Sequence, residues 1–237
     1  MEERLQAAAR FYEARDWAGA LDALREVESS DENHLDIAYY LGLCHTRLEA
    51  WDEALLYLEQ VVTGSDDIMR IFQCRLALAY AYTETGRHRL AEYELKRLSD
   101  AGFESVQVLS FLGYSAWAQG RIDESLGWYG KALKLDPGNP TALNGMGYLL
   151  VCEGRDTARA LVYCRQAVEK KPQNAAYLDS LAWAYFRLGY SEEARGCISR
   201  ALSLRPDSAE IREHAQAIEA GEDSRTGLAQ PSMEDFA

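Results

Sequence analysis

The side chains in this sequence best able to do chemistry are four histidines, five cysteines and a few adjacent acid pairs, and none stands in a pattern that chemistry needs. A helical metal site asks for ligands one turn apart, as in an HxxxH pair, or for CxxC-type spacing. His34, His45, His88 and His214 lie in four separate stretches, and Cys44, Cys74, Cys152, Cys164 and Cys197 include no CxxC. The histidines therefore read as structural or exposed, and no metal or cofactor is expected. An odd set of cysteines among apolar neighbours is no disulfide framework; they read as small hydrophobes of a reducing compartment. No GxSxG, Walker-type or dinucleotide-binding glycine pattern occurs, and GNPTALNGMG (138–147) reads as a turn followed by a close-packing glycine. The pairs Asp52-Glu53 and Glu192-Glu193 open predicted helices, where they oppose the helix dipole. No catalytic residue is assigned, and the chain is read as not an enzyme.

Positioning is thus the question, and bulk composition bounds it. The chain has 237 residues, 48% of them hydrophobic, and only five prolines, so long uninterrupted helices are affordable. Its net charge of −13 argues against nucleic acid, which is held by clustered Lys and Arg. The charge is uneven: residues 1–104 carry 21 acids against 11 bases, 105–206 carry 9 against 12, and 207–237 carry 8 against 2. An acidic arm beside a near-neutral one can orient a basic or dipolar ligand, or simply solvate the surface. No stretch approaches the roughly 18 apolar residues of a membrane span. A cytoplasmic location is expected, or a periplasmic one if a signal segment has been removed.

Internal periodicity is strong. Small residues recur at Ala8, Gly42, Ala79, Gly113, Gly147 and Ala182, in steps of 34, 37, 34, 34 and 35. A second small series, Ala20, Ala54, Ala91, Ser125, Ala160 and Ala194, follows the first at 12 or 13 residues. Leu24, Leu58, Leu95, Tyr129, Cys164 and Ile198 stand four residues after the second series. Each unit reads as two amphipathic helices whose backbones approach closely at the small pair. Gly86, Gly120, Gly154 and Gly189 close the first helix of units three to six, and Asp136-Pro137, Lys171-Pro172 and Arg205-Pro206 end the second helix of the last three. The three extra residues between Ala54 and Ala79 are expected to lengthen a turn. Because one hairpin cannot bury its own apolar faces, stacking is required. The expected architecture is all-α: a right-handed α-solenoid of six antiparallel helix pairs, at about 1–34, 35–70, 71–104, 105–138, 139–173 and 174–206. A C-terminal capping helix is expected at 207–220, with Asp207 or Ser208 as N-cap, followed by a flexible acidic tail at 221–237.

The segments YLDSLAWAYFRLG (177–189) with SEEAR and LRP, and SFLGYSAWAQGRIDES (110–125) with LKLDPGNP, resemble the tetratricopeptide repeat (TPR) family. The resemblance covers residues 1 to about 206 and is tighter in units four to six. It implies a protein or peptide partner held in a concave groove lined by the first helix of each unit. The inward positions it marks are Ala9, Leu43, Tyr80, Tyr114, Tyr148 and Trp183; one turn later Tyr12, Thr46, Thr83, Trp117, Val151 and Phe186; one turn earlier Leu5, Tyr39, Leu76, Ser110, Asn144 and Asp179. From these the expected binding residues are Tyr39, Tyr80, Ser110, Tyr114, Trp117, Asn144, Tyr148, Asp179, Trp183 and Phe186, rings offering large contact area beside a few polar partners. The family's carboxylate clamp places Lys and Asn where this chain has Leu5, Ala9, Tyr39, Leu43, Leu76 and Tyr80, so clamping of that kind is not expected. The expected function is a non-catalytic scaffold or adaptor binding a peptide or helix. Alternatives are a self-assembly module, forming a homo-oligomer or seating the tail motif Met233–Phe236 in the groove, and a regulatory part of an enzyme complex.

Overall fold

A computed structural model describes residues 2–30 and 33–221. By its packing the chain divides into two units, Met1–Phe103 and Glu104–Ala237.

The first unit contains three helical hairpins: α1 (Glu2–Glu13) with α2 (Trp17–Arg25), α3 (His34–Arg47) with α4 (Trp51–Gly64), and α5 (Ile68–Glu84) with α6 (His88–Asp100). The second contains α7 (Val106–Ala118) with α8 (Ile122–Leu135), α9 (Pro140–Cys152) with α10 (Thr157–Lys170), and α11 (Ala175–Arg187) with α12 (Ser191–Leu204). It closes with α13 (Ala209–Ala220), which packs on α11 and α12. Within each unit every first helix touches the next first helix, α1 to α3 to α5 and α7 to α9 to α11 to α13. The second helices make no comparable row among the described residues. The first helices therefore form the tight inner rank of a stacked α-solenoid, and the second helices the looser outer rank.

The small residues explain the close hairpins. Ala20, Ala54, Ala91, Ser125, Ala160 and Ala194 are all fully buried. At Gly147 an added Cβ would lie 2.6 Å from Cys164 Sγ and 3.1 Å from the Ala160 carbonyl oxygen, so α9 and α10 touch nearly backbone to backbone. Ser125 adds a bond across its hairpin, its hydroxyl donating to the Gly113 carbonyl at 2.7 Å. Leu58 and Leu95 are fully buried against these contacts, each contributing about 2 kcal/mol.

Helix ends follow local chemistry. The side chains of Asp67, Ser105, Asn139, Asn174 and Ser208 each accept a backbone N–H from the first turn of the helix they precede. The first-helix exits of the first two hairpins differ from those of the other four: Arg15 (φ 61°) and Glu49 (φ 58°) take the left-handed conformation that glycine supplies elsewhere. One expectation is corrected. The three extra residues before Ala79 do not lengthen a turn; they enter α5, which has 17 residues where α7, α9 and α11 have 13. Asp67 caps the helix early, so Ile68 and Met69 join its first turn, where both stay exposed.

Candidate functional site

In the first unit the inner rank is a loosely covered network of rings and ions. Tyr39 on α3 is half-buried and donates its hydroxyl to Gln73 on α5, one repeat away. Burial pushes that hydroxyl up to about 12, so it remains a neutral donor at physiological pH. The Arg70 guanidinium lies 5.4 Å from the Tyr39 ring centre and is paired with Asp36 and, at 3.5 Å, with Asp67. Tyr40 stands edge-on to Tyr39 at 5.0 Å and to Tyr12 at 6.1 Å. Tyr80 is half-buried and meets Trp51 edge-on at 5.6 Å. Behind this surface, Arg75 and Glu94 join α5 to α6 through an ion pair whose side chains are only 13% and 11% exposed.

In the second unit the same register is filled from within. Tyr114, Tyr148 and Trp183 are 4%, 3% and 0% exposed, and Ser110, Asn144 and Asp179 are equally covered. Trp117 bridges Tyr114 and Tyr148 edge-on at 5.9 and 5.6 Å, and Phe186 leans on Trp183 at 5.3 Å. Trp117 and Phe186 keep a half-exposed edge. The expectation that the other six present themselves to a guest is therefore corrected: they pack between neighbouring first helices. At the end of the row, α13 takes the place of a further first helix. His214 on α13 stacks on Trp183 at 4.6 Å, and its Nδ1–H donates to both Asp179 carboxylate oxygens at 2.8 Å. Asp179 thus serves the fold rather than a ligand.

The buried polar groups here are poorly served. Among the described residues, Asn144 Oδ1, Trp183 Nε1, His214 Nε2, Ser110 Oγ and Ser115 Oγ have no hydrogen-bond partner. The Tyr148 hydroxyl, likewise without a hydrogen-bond partner among the described residues, lies beside the soft thiol of Cys152. A cavity of about 10 Å³ lies between Tyr114, Tyr129, Asn144 and Tyr148, which is room for roughly one water.

Burial pushes the Cys44 thiol up to about 11 and those of Cys74 and Cys152 to about 12, which keeps them protonated and poor nucleophiles at neutral pH. Among the described residues no group of three His, Cys, Asp or Glu is placed to hold a metal, and no helix is long and apolar enough to cross a membrane. The tail motif Met233–Phe236 lies outside the described residues.

A stack of antiparallel hairpins with close-packed small pairs, an inner rank of first helices and a terminal extra helix defines a helical-repeat solenoid. Family profiles give the particular kind: a tetratricopeptide repeat profile matches residues 5–67, a TPR repeat profile 113–151 and a further tetratricopeptide repeat profile 175–208. Together they take in more than half of the chain, which belongs to the tetratricopeptide repeat family.

Solved structures agree on the fold. A chain of the APC/C hetero-tetramer Cut9-Hcn1 superposes with a TM-score of 0.76 at 17% identity, covering 97% of this chain and 44% of that one. A MamA structure (MSR-1) gives 0.52 at 24% identity, covering 75% and 99%. YrrB, described as a TPR protein with an unusual peptide-binding site, gives 0.52 at 17% identity, covering 83% and 96%. Comparison with curated proteins gives no match. At these identities the likeness concerns the fold alone.

Proposed function

We propose that this chain is a non-catalytic interaction scaffold that binds a peptide or helix on the inner rank of its first unit, through Tyr39, Tyr80 and the neighbouring Tyr12, Tyr40 and Arg70. The observation that carries this reading is the difference in cover. The first unit leaves Tyr39 and Tyr80 half-exposed beside charged and amide groups, whereas Tyr114, Tyr148 and Trp183 are sealed. A half-exposed ring with a polar tip and a cation nearby gives a partner both apolar area and hydrogen bonds. Trp117 and Phe186 offer ring edges in the second unit as secondary contacts. Family membership supports an interaction role, since these repeats serve generally as protein-binding modules. The peptide site described for YrrB supports a peptide as the form of ligand. The acidic balance of residues 1–104 favours a basic or dipolar segment.

The test is selection of displayed random peptides on the intact chain, followed by titration of the winners. Tyr39→Ala with Tyr80→Ala is expected to weaken them by about 2 kcal/mol, roughly thirtyfold, while Trp117→Ala with Phe186→Ala has a smaller effect. Peptides that bind the folded Tyr39→Ala/Tyr80→Ala variant unchanged would remove the first unit as the site.

A further inference from the structure

A second surface stands apart from the inner rank. On the outer side of the second unit a cleft of about 370 Å³ is lined by Leu133, Lys134 and Pro137 at the end of α8, Met146 of α9, and Arg159 and Tyr163 of α10. The volume suits one aromatic side chain and its neighbours. Among the described residues, its lining holds two cations and no carboxylate. The Arg159 Nε–H donates to Tyr163 Oη at 2.8 Å with the guanidinium 5.2 Å from the ring centre, and the residue is exposed. Lys134 is exposed, and no carboxylate pairs with it among the described residues. Asp136, the nearest acid along the chain, is turned back onto the Gly138 N–H at 3.0 Å. One helical turn before Lys134, Lys131 lies over the Trp128 ring at 4.2 Å, a second cation on α8.

An apolar hollow flanked by uncompensated cations fits a short segment with one or two apolar anchors and adjoining carboxylates. The chain carries such a segment. Beyond Gly221, Pro231–Phe236 reads PSMEDF, with Met233 and Phe236 three apart around Glu234 and Asp235. We infer that this segment docks in cis into the α8–α10 cleft, an aromatic or thioether anchor against Met146 and Leu133 and the carboxylates on Lys134 and Arg159. Reach permits it. The ten residues 222–231 span up to about 33 Å when extended, whereas α13 is separated from α9 by two helix packings of about 9 Å each. Charge favours it, since residues 105–206 carry 12 bases against 9 acids while 221–237 carry four acids and one base. Tethering then supplies an effective concentration that a separate peptide lacks.

Phe236 replaced by photoreactive benzoylphenylalanine in the full chain tests the placement. On irradiation at low concentration, an intramolecular adduct is expected on peptides containing Leu133, Met146 or Tyr163. Its yield should fall about tenfold with Lys134→Glu and Arg159→Glu, and return when Glu234→Lys and Asp235→Lys are added. Should the charge-reversed chain lose helix content, salt at about 0.5 M on the unreversed chain reads the same ionic dependence. Adducts confined to the first helices, labelling scattered over the surface, or covalent dimers would each overturn docking in cis at this cleft.

Discussion

The two units apply one repeat to opposite ends. In the second unit the inward positions are Tyr114, Tyr148 and Trp183, at most 4% exposed, and α13 closes the row with a histidine stacked on the last ring. In the first unit the inward positions hold Tyr39, tied by Gln73 and Arg70 to the next repeat, and Tyr80, both half-exposed. Large rings in successive first helices fill the space between them and leave a guest little to touch. Rings alternating with Leu5, Leu43 and Leu76, and held by polar links, leave surface over. The difference teaches that an aromatic series on one face of a solenoid is a supply of contact area, which its own neighbours or a partner can take up.

The largest way to break the comparison is Trp183→Ala. Removing a ring that is fully buried and sandwiched by His214 and Phe186 should cost about 4 kcal/mol. Because repeats unfold semi-independently, amide exchange should accelerate in α9–α13 and stay slow in α1–α6. Tyr39→Ala, which truncates a half-exposed ring of the first unit, should cost only about 1 kcal/mol. Equal losses at the two sites would mean that the half-exposed ring is structural as well.

Next is Glu94→Ala in the first unit, which strands Arg75 in a buried place and should cost about 3 kcal/mol, read as a lowered urea midpoint. The ionic link matters because the first unit has few buried rings to replace it. Smaller, and opposite in sign, is Glu49→Gly. Glu49 sits at φ 58°, where glycine is free of strain, and the change should stabilise the first unit by about 0.5–1 kcal/mol in a calorimetric scan. Gly86→Ala, at φ 71° in the third hairpin, should destabilise by a similar amount.

Much of this was legible in residue types and spacing. The small pairs, the turn glycines and the X-Pro stops are local signals, and local signals place hairpins. The identity of the inward face was legible too, since the helical period fixes it. Its degree of cover was not, because that depends on how adjacent repeats approach. One clue existed: the series Ser110, Asn144, Asp179, continued by 35, lands on His214, which pairs with Asp179. Treating 207–220 as a solvating cap stopped the series one step early. The lengthened α5 was hidden because an insertion reads alike whether it extends a loop or a helix, and only the Asp67 cap decides. The strained turns at Arg15 and Glu49 carry no glycine to mark them. The α8–α10 cleft draws on three helices whose lining residues have no common period.

The smallest expected effect concerns acid. Burial lowers the pKa of His45 on α3 and of His88 on α6 below the ordinary 6.5, and both belong to the first unit. Well above 6.5 these side chains are neutral whether the chain is folded or not, and they contribute nothing to the pH dependence. As pH falls through 6.5 the unfolded chain takes up protons that the folded unit refuses, so stability is lost with acid. Between about pH 7.5 and 5.5 the carboxylates stay ionised, which leaves the histidines as the main source of slope. The urea midpoint followed by amide exchange in α3–α6 should therefore drop over this range. His45→Gln with His88→Gln should flatten that drop while leaving the midpoint at pH 7.5 nearly unchanged. A slope that persists in the double variant would move the proton uptake elsewhere and sever this link between half-covered packing and acid sensitivity.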